Sequence, residues 1–417
     1  MGQTLSEPNT NKTSSKDANE KYFYGCSHMQ GWRLTMEDAH TTLLKLGDTN
    51  CSFFGVYDGH GGSSIAQYTG QTLYKKLLES KHFAKKEYKE AFRDAFMSVD
   101  KALLEDNNYA LDPSGCTAVA ALITGDNNII VANAGDSRAI ISSGGKAKPL
   151  SFDHKPTNEV EMERIIKAGG FVEFGRVNGN LALSRAIGDF EFKQSEELAA
   201  EEQVVTCNPD LTEHKITKED DFIVLACDGI WDCMSNQEVV DFVQKGISLG
   251  KKLEEICEDL MDHCIADEET TNGLGYDNMS VIIVGILNGK TQEEWYQSIG
   301  NKSQVSITPD SPCPSADNSP KIKMTKADHY WGPVTSSVDW CEENYLYSAY
   351  IAEFWNTISS FAMVIFGCLG AYLHWQSLGW KLSAGYLFIV IVGIGSILFH
   401  GTLQFQYQMW DEVHTWS

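Results

Sequence analysis

Acidic residues stand at the ends of several apolar runs in this sequence, where they can present carboxylates to a metal ion. The run 53–57 leads into Asp58 and Gly59, and the run 222–227 leads into Asp228. Acids at the ends of separate buried strands can converge at one edge of the fold. Carboxylate and carbonyl oxygens suit Mg²⁺ or Mn²⁺, whereas zinc favours Cys and His clusters. The pattern predicts a divalent metal site.

Two further motifs add to this set. Residues 31–38 contain Arg33, Glu37 and Asp38, and residues 275–280 contain Asp277. Each motif alone has an ordinary alternative, because Asp-Gly pairs are common in turns and a surface arginine commonly forms an ion pair. The occurrence of all of them in one chain favours metal-dependent chemistry on an anionic substrate.

In their order along the chain, these motifs resemble those of the metal-dependent serine/threonine protein phosphatases of type 2C. Matches at 114–118, 133–138 and 175–190 extend the resemblance over about residues 22–285. It implies an α+β fold with two antiparallel sheets packed face to face, flanked by helices, and metals at one end of the sandwich. It also places a flap at 163–192, where Ser184 is not expected to act as a nucleophile.

The resemblance assigns metal-binding roles residue by residue. Asp58 would bridge two metals, the Gly59 carbonyl would complete one site, and two acids would complete the other. Glu37 would hold a metal-bound water with support from an adjacent acid, and a further acid matches a weaker third metal site. The remaining ligands are Asp228 and Asp277 for the second site, Asp38 as the support and Asp136 for the third metal.

The implied reaction is hydrolysis of phosphoserine and phosphothreonine by a metal-activated water at a binuclear Mg²⁺ or Mn²⁺ centre. Besides Asp58, the implied catalytic residues are Arg33, which would pair with the substrate phosphate, and His60, which would protonate the leaving oxygen. The expected partners are phosphoprotein substrates.

Alternating apolar patterns predict regular elements around these motifs. The predicted strands are 51–57, 117–124, 129–134, 138–142, 222–228 and 279–286. The predicted helices are 64–78, 86–107, 158–168, 237–245 and 253–264. Strand pairs joined by short Gly-Asp turns favour antiparallel hairpins over a doubly wound parallel sheet.

Charge and cysteine content exclude some classes of protein. The net charge of -24 disfavours nucleic acid as a partner, because phosphates would be repelled. The 11 cysteines include no Cys-x-x-Cys pair, which indicates reduced thiols in a cytosolic chain rather than a disulfide framework. We expect a monomer.

Composition divides the chain into four parts. Residues 1–20 are polar and predict a flexible arm, 21–295 form the phosphatase domain, 296–328 predict a disordered linker, and 329–417 form a different segment. At the start of the chain, Gly2 matches the myristoylation pattern, so an acyl chain on Gly2 is predicted to contact a membrane.

The last segment contains two apolar stretches, 354–375 and 382–399. Their length and flanking tryptophans predict a two-helix membrane hairpin. We therefore expect a membrane-associated protein whose phosphatase domain lies in the cytosol. The protein is cytoplasmic instead if this segment is an artefact of gene modelling.

Motifs at 331–333, 337–345, 350–357 and 395–403 resemble the start of an alkaline ceramidase. The resemblance implies calcium ligands at Asp339, Trp340, Glu342, Asn344 and Glu353, a zinc ligand at His400, and catalytic residues Ser396 and Asp411. That family calls for about seven spans and three zinc histidines, so this chain carries an incomplete version. We interpret the chain as a fusion of two neighbouring genes, real or a product of gene modelling. Two alternative functions remain: a bifunctional phosphatase and ceramidase, and a membrane-tethered phosphoprotein binder without catalysis.

Overall fold

The computed structural model describes residues 4–267 and 274–305, with side chains to Gly300, and isolated helical residues between 357 and 397. The chain divides into two units, Met1–Ser311 and Pro312–Ser417.

The strands of the first unit are, in chain order, β1 Thr4–Asn9, β2 Thr13–Ala18, β3 Tyr22–Met29, β4 Gly31–Arg33, β5 Ala39–Leu43, β6 Ser52–Tyr57, β7 Gly59–His60, β8 Gly115–Cys116, β9 Ala118–Ile123, β10 Asn128–Ala134, β11 Arg138–Ser143, β12 Lys146–Pro149, β13 Val172–Glu173, β14 Arg176–Val177, β15 Ile187–Gly188, β16 Asp210–Lys215, β17 Asp220–Ala226 and β18 Met279–Ile286. Its helices are α1 Ser64–Glu79, α2 Lys81–Ala84, α3 Tyr88–Glu105, α4 Glu159–Lys167, α5 Asp228–Trp231, α6 Asn236–Ser248, α7 Leu253–Cys264 and α8 Gln292–Val305. Two short 3₁₀ turns lie at Phe190–Phe192 and Ala200–Glu202.

Two antiparallel sheets form the centre of this unit. One has the strand order β12-β11-β17-β18-β3-β2 and the other β16-β10-β9-β6-β5. Alternate residues of β17 face different layers: Ile223 and Leu225 join a core shared by strands of both sheets, whereas Val224 joins the core beneath α6 and α7. Because both faces are covered, the central strands read as continuous apolar runs.

Helices cover the outer faces of both sheets. The buried faces of α1 and α3 pack with residues of β6 and β9 in one apolar cluster. The helices α6, α7 and α8 pack over the sheet that contains β17 and β18. The expected α+β sandwich of two antiparallel sheets flanked by helices is therefore confirmed.

The expectation of a flexible arm over residues 1–20 is wrong for Thr4–Ala18. β2 pairs antiparallel with β3 at the edge of the six-stranded sheet, and β1 pairs with β4. All of β2 is exposed, so its sequence lacks an apolar signal. Backbone pairing and side-chain contacts hold it instead, including Ser14 Oγ to Ser27 Oγ at 2.9 Å and Lys12 Nζ to Asp262 at 2.6 Å.

The expectation of a linker beginning at residue 296 is also wrong, because α8 continues to Val305. Trp295 and Ile299 lie one helical turn apart, and both are fully buried in the cluster beneath α6. The Trp295 indole donates to the Asp221 carbonyl at 3.1 Å. Two apolar anchors at this spacing are enough to dock an otherwise polar helix. The rest of the predicted linker, from 306 to 328, lies outside the described residues.

In the second unit, the described residues include no helix long and apolar enough to cross a membrane. Most of the two apolar stretches lies outside the described residues. Ser360 and Ser396 are described and buried, and the Ser360 hydroxyl donates to Ser396 Oγ at 3.0 Å.

Candidate metal centre

The fold brings the predicted acids to one end of the sandwich. Asp58 follows β6, Asp228 begins α5 just after β17, and Asp277 comes two residues before β18. β17 and β18 are antiparallel neighbours, with Ala226 opposite Val281, so the end of one strand meets the start of the other. The motifs lie far apart in sequence but adjacent in space.

Asp38 and Asp58 lie close together. Their carboxylate oxygens and the Cys227 sulfur lie within 4.8 Å of one another. Asp38 Oδ2 accepts a hydrogen bond from Ser280 Oγ at 2.7 Å, while Asp38 Oδ1 is buried and has no hydrogen-bond partner. A buried carboxylate oxygen without a donor is costly unless a cation completes it. These oxygens therefore fit a divalent metal ion.

The pKa values show the same excess of negative charge. Burial raises the pKa of Asp58 well above its usual 3.8, and the charges of Asp228 and Asp38 raise it further. Burial and the charges of Asp136 and Asp277 likewise raise the pKa of Asp228, although a hydrogen bond with Asp58 opposes the shift. Burial raises the pKa of Asp38 to about 7 against the Ser280 hydrogen bond. Bound cations would relieve this repulsion.

Cys227 is close enough to be a ligand but is not suited to the role. Its thiol donates to the Asn278 carbonyl at 3.5 Å and accepts the Ser280 N–H at 3.2 Å. Burial and the charge of Asp38 raise the pKa of Cys227 well above 9.0. A neutral thiol is a poor ligand for hard cations, so we assign Cys227 to the supporting structure.

Gly59 is required by close backbone packing. A Cβ at this position would lie 2.2 Å from the Glu37 carbonyl oxygen, so any larger residue would separate the two metal-site segments. The same contact joins the strand end at Asp58 to the loop that carries Glu37 and Asp38.

Arg33 lies at the open side of the site. Its guanidinium pairs with the Asp277 carboxylate, and its side chain is 46% exposed. Glu37 lies further in, where its carboxylate accepts hydrogen bonds from Thr35 Oγ1 at 2.7 Å and from Gly62 N–H at 3.2 Å. An exposed guanidinium beside a metal centre can meet an incoming phosphate.

Asn278 organises this side of the site, a role that the sequence analysis missed. Its side-chain oxygen accepts the Glu37 N–H at 2.9 Å, and its amide donates to the carbonyls of Gln30 and Thr35 at 2.8 and 3.0 Å. One buried amide thus fixes the loop that carries Arg33. The apolar-run pattern gives no sign of this contact, because the partners lie more than 240 residues apart.

His60 forms a hydrogen bond with a residue that the sequence analysis did not connect to it. His60 Nε2 donates to Asp189 Oδ2 at 2.8 Å, and Asp189 is buried at the end of the flap. Burial lowers the pKa of His60, but the hydrogen bond and charge of Asp189 outweigh it, so the pKa lies above 6.5. Asp189 therefore favours the protonated form of His60 and orients its ring, as proton donation to a leaving oxygen requires.

Asp136 follows β10 and is buried, with its carboxylate paired to Lys155 Nζ. Asp232, which the sequence analysis did not assign, belongs to the same charged group. Burial and the charge of Asp136 raise the pKa of Asp232, while Lys155 opposes the shift. The charge of Asp136 acts on Asp58 and Asp228, and Lys155 supplies the nearby positive charge.

The flap contains a buried ionic network. Glu161 accepts hydrogen bonds from Arg185, Arg164 and Ser184. Although burial acts in the opposite direction, Arg185 and the other donors lower the pKa of Glu161 to about 2. Ser184 is buried and its hydroxyl is engaged here, which agrees with the expectation that it is not a nucleophile.

Several predicted residues lie outside the described part of the chain. They are Gly2, Asp339, Trp340, Glu342, Asn344, Glu353, His400 and Asp411. The assignments of calcium, zinc and lipid to them stay predictions. Ser396 is described, and its structural partner is Ser360.

Comparison with protein-family models gives two matches. The model described as "Protein phosphatase 2C" matches residues 22–273, and the model described as "Ceramidase" matches residues 332–415. The two matches do not overlap, which confirms that two unlike sequences are joined in this chain.

Curated relatives agree with the first match. "Protein phosphatase 2C homolog 2" of Hypocrea jecorina is 52% identical over 322 residues, covering 75% of this chain and 73% of the relative. The protein of the same name from Schizosaccharomyces pombe is 51% identical and covers 75% and 86%, respectively. Among solved structures, a phosphatase from Toxoplasma gondii aligns with a TM-score of 0.57 at 27% identity, covering 68% of this chain and 97% of that one.

Proposed function

This chain belongs to the protein phosphatase 2C family, and we propose how its acidic centre performs the reaction of that family. The protein is a metal-dependent serine/threonine protein phosphatase. The observation that supports the mechanism most strongly is the meeting of Asp38 and Asp58 around a buried carboxylate oxygen that lacks a hydrogen-bond partner.

The metal-holding residues in this proposal are those predicted from the sequence. Asp58, the Gly59 carbonyl, Asp228 and Asp277 would hold two Mg²⁺ or Mn²⁺ ions, and Asp136 would belong to a third, weaker site. When bound, such ions neutralise phosphoryl charge and increase the acidity of water. Glu37 and Asp38 face the same centre and orient water by hydrogen bonding.

The other side chains handle the substrate. Arg33 leaves its pairing with Asp277 and takes two phosphoryl oxygens in a bidentate contact, for which its exposed position is suited. His60, protonated through its contact with Asp189, donates a proton to the departing seryl or threonyl oxygen. The substrate is therefore a phosphorylated serine or threonine in a protein segment that can enter an open site.

A calorimetric titration of the full chain with Mn²⁺ tests the metal assignment. We expect two binding events, one of which is lost in Asp228→Asn because that carboxylate holds the second ion. Asp48→Asn, an exposed acid away from the site, is the control and should bind as the wild type does. Unchanged binding in Asp228→Asn would refute the assignment.

We also propose, from the sequence alone, that stretches 354–375 and 382–399 anchor the protein to a membrane with the phosphatase domain in the cytosol, and that it acts as a monomer. Flotation of the full chain with cell membranes tests this, and Gly2→Ala separates any contribution of an acyl chain. Recovery of both variants in the dense fraction would contradict the anchor.

A further inference from the structure

Two cysteines outside the metal centre lie against each other. Cys233 follows α5 and is partly exposed, whereas Cys264 is the last residue of α7 and is 5% exposed. The Cys233 thiol donates to the Cys264 carbonyl at 3.4 Å, although 31 residues separate them. Both thiols are free in this structure, and the contact places the Cys233 sulfur directly against residue Cys264.

The two thiols differ in chemical character. A hydrogen bond from the Cys264 thiol lowers the pKa of Cys233 below 9.0, although its burial and the charge of Asp232 oppose the shift. The same hydrogen bond, together with burial, raises the pKa of Cys264. An accessible thiol with a lowered pKa beside a second thiol is the arrangement found at reactive and resolving cysteines.

The segment that follows Cys264 touches both sides of the metal centre. Ala266 N–H donates to the Gly275 carbonyl at 2.9 Å, and the Ala266 carbonyl accepts from Trp32 Nε1 at 2.9 Å. Trp32 immediately precedes Arg33, and Gly275 lies two residues before Asp277. A movement of Cys264 would therefore reach both members of the Arg33–Asp277 pair.

The backbone of Gly275 packs closely against the residues around Cys264. A Cβ on Gly275 would lie 2.3 Å from the Cys264 carbonyl oxygen and 2.5 Å from the Ala266 nitrogen, so these backbones are already in close contact. Closing a disulfide brings the sulfurs from non-bonded contact to about 2.05 Å. In a close-packed interior that strain passes to neighbouring groups.

We propose that Cys233 and Cys264 form a reversible disulfide under peroxide and that the disulfide lowers the activity of the phosphatase site. The Cys233 thiolate attacks one oxygen of hydrogen peroxide, the O–O bond breaks, and Cys233 sulfenic acid and hydroxide form. The Cys264 sulfur then attacks the sulfenic sulfur and displaces its oxygen as water. In total, two thiols and one peroxide give one disulfide and two waters.

This inference rests on the proposed function for its activity readout but not for its chemistry. The full chain is assayed with Mg²⁺, which peroxide does not oxidise, before peroxide, after peroxide and catalase, and after dithiothreitol. A positional error of about 1 Å can cost up to about a hundredfold in rate, so we expect a loss of tenfold or more that dithiothreitol reverses. Peptide mass spectrometry should show Cys233 joined to Cys264.

Matched variants separate this pair from other thiols. Cys233→Ser and Cys264→Ser should each keep their activity through the peroxide step. Cys257→Ala is the control, because Cys257 is fully buried away from Cys233 and its pKa is raised by burial, and it should remain sensitive. Equal loss of activity in Cys233→Ser and wild type would overturn the proposal, and so would a mapped disulfide without loss of activity.

If the untreated protein hydrolyses no phosphopeptide, the proposed function fails and only the mass measurement bears on the disulfide. In that case a 233–264 cross-link supports the redox pair, and its absence after peroxide refutes it. The two failures are thus distinguishable.

Discussion

Asp38→Asn should stabilise the metal-free protein, although it damages the site. The substitution keeps the shape of the side chain and allows its amide oxygen to accept from Ser280 Oγ, as Asp38 does at 2.7 Å. It places an amide N–H₂ where the partnerless carboxylate oxygen now lies, facing the carboxylate of Asp58. The change replaces a repulsive contact by an attractive one.

The magnitude follows from the pKa of Asp38. A rise from 3.8 to about 7 corresponds to about 4 kcal/mol of lost stability at pH 7, at 1.36 kcal/mol per unit. Solvent access and repulsion shared with other acids reduce this figure, so we expect a gain of about 2 kcal/mol for Asp38→Asn and a rise of about 4–8 °C in Tm.

The sign of the pH dependence is fixed by the direction of the shift. Because the folded-state pKa of Asp38 is raised, the folded state binds more protons than the unfolded state between pH 3.8 and about 7. The stability of the wild type therefore falls as pH rises through that interval. The gain from Asp38→Asn should be largest at pH 7 and above, and should shrink by more than half at pH 5.

Thermal unfolding of the full chain in EDTA, at pH 7.5 and pH 5, measures both effects. Asp48→Asn is the control and should leave Tm unchanged, because Asp48 is exposed. With saturating Mg²⁺ the order should reverse, since the wild type binds the ion more tightly and gains stability from it. A lower Tm for Asp38→Asn in EDTA at pH 7.5 would refute the reasoning.

Three further outcomes are expected. Glu161→Gln should cost about 3 kcal/mol of unfolding free energy in a urea titration, because buried Arg164 loses its carboxylate partner and Arg185 keeps only its ion pair with Asp210; a cost below about 1 kcal/mol would contradict a tight network. Asp189→Asn should lower the pKa of His60 and reduce kcat about tenfold or more for a phosphothreonine peptide. The loss of kcat should be much smaller for an aryl phosphate, because its leaving group needs no proton. Equal losses of kcat for the two substrates would refute the positioning role of Asp189. Asn278→Ala should raise KM for the peptide. Combining it with Arg33→Ala should raise KM little beyond the value of Arg33→Ala alone, because both residues act on one loop. Additive effects on KM would show that the two residues have independent roles.

The sequence predicted the central strands and helices well because their apolar pattern is strong. The predicted strand 279–286 and helix 253–264 coincide with Met279–Ile286 and Leu253–Cys264. Asp58 and Asp228 were found because each directly follows a buried strand, where a strand end and a site edge coincide. Motif resemblance then ordered these acids into one site.

What the sequence did not predict depends on contacts between distant residues. β2 is held by backbone pairing and scattered polar contacts, so its exposed polar residues looked like a flexible arm. α8 is docked by two apolar side chains in a polar stretch. Asp189 lies 129 residues from His60, and only the folded chain shows that they meet. No spacing rule links residues whose proximity is created by tertiary structure.

We infer that Asp58 and its neighbours form a metal-dependent centre that hydrolyses phosphoserine and phosphothreonine. The most direct test is turnover of a phosphothreonine peptide by the full chain, as a function of Mg²⁺ concentration, in wild type and Asp58→Asn. We expect turnover that saturates with Mg²⁺, disappears in EDTA and falls at least about a hundredfold in Asp58→Asn at all Mg²⁺ concentrations. Turnover that survives EDTA, or an Asp58→Asn variant as active as the wild type, would contradict the account.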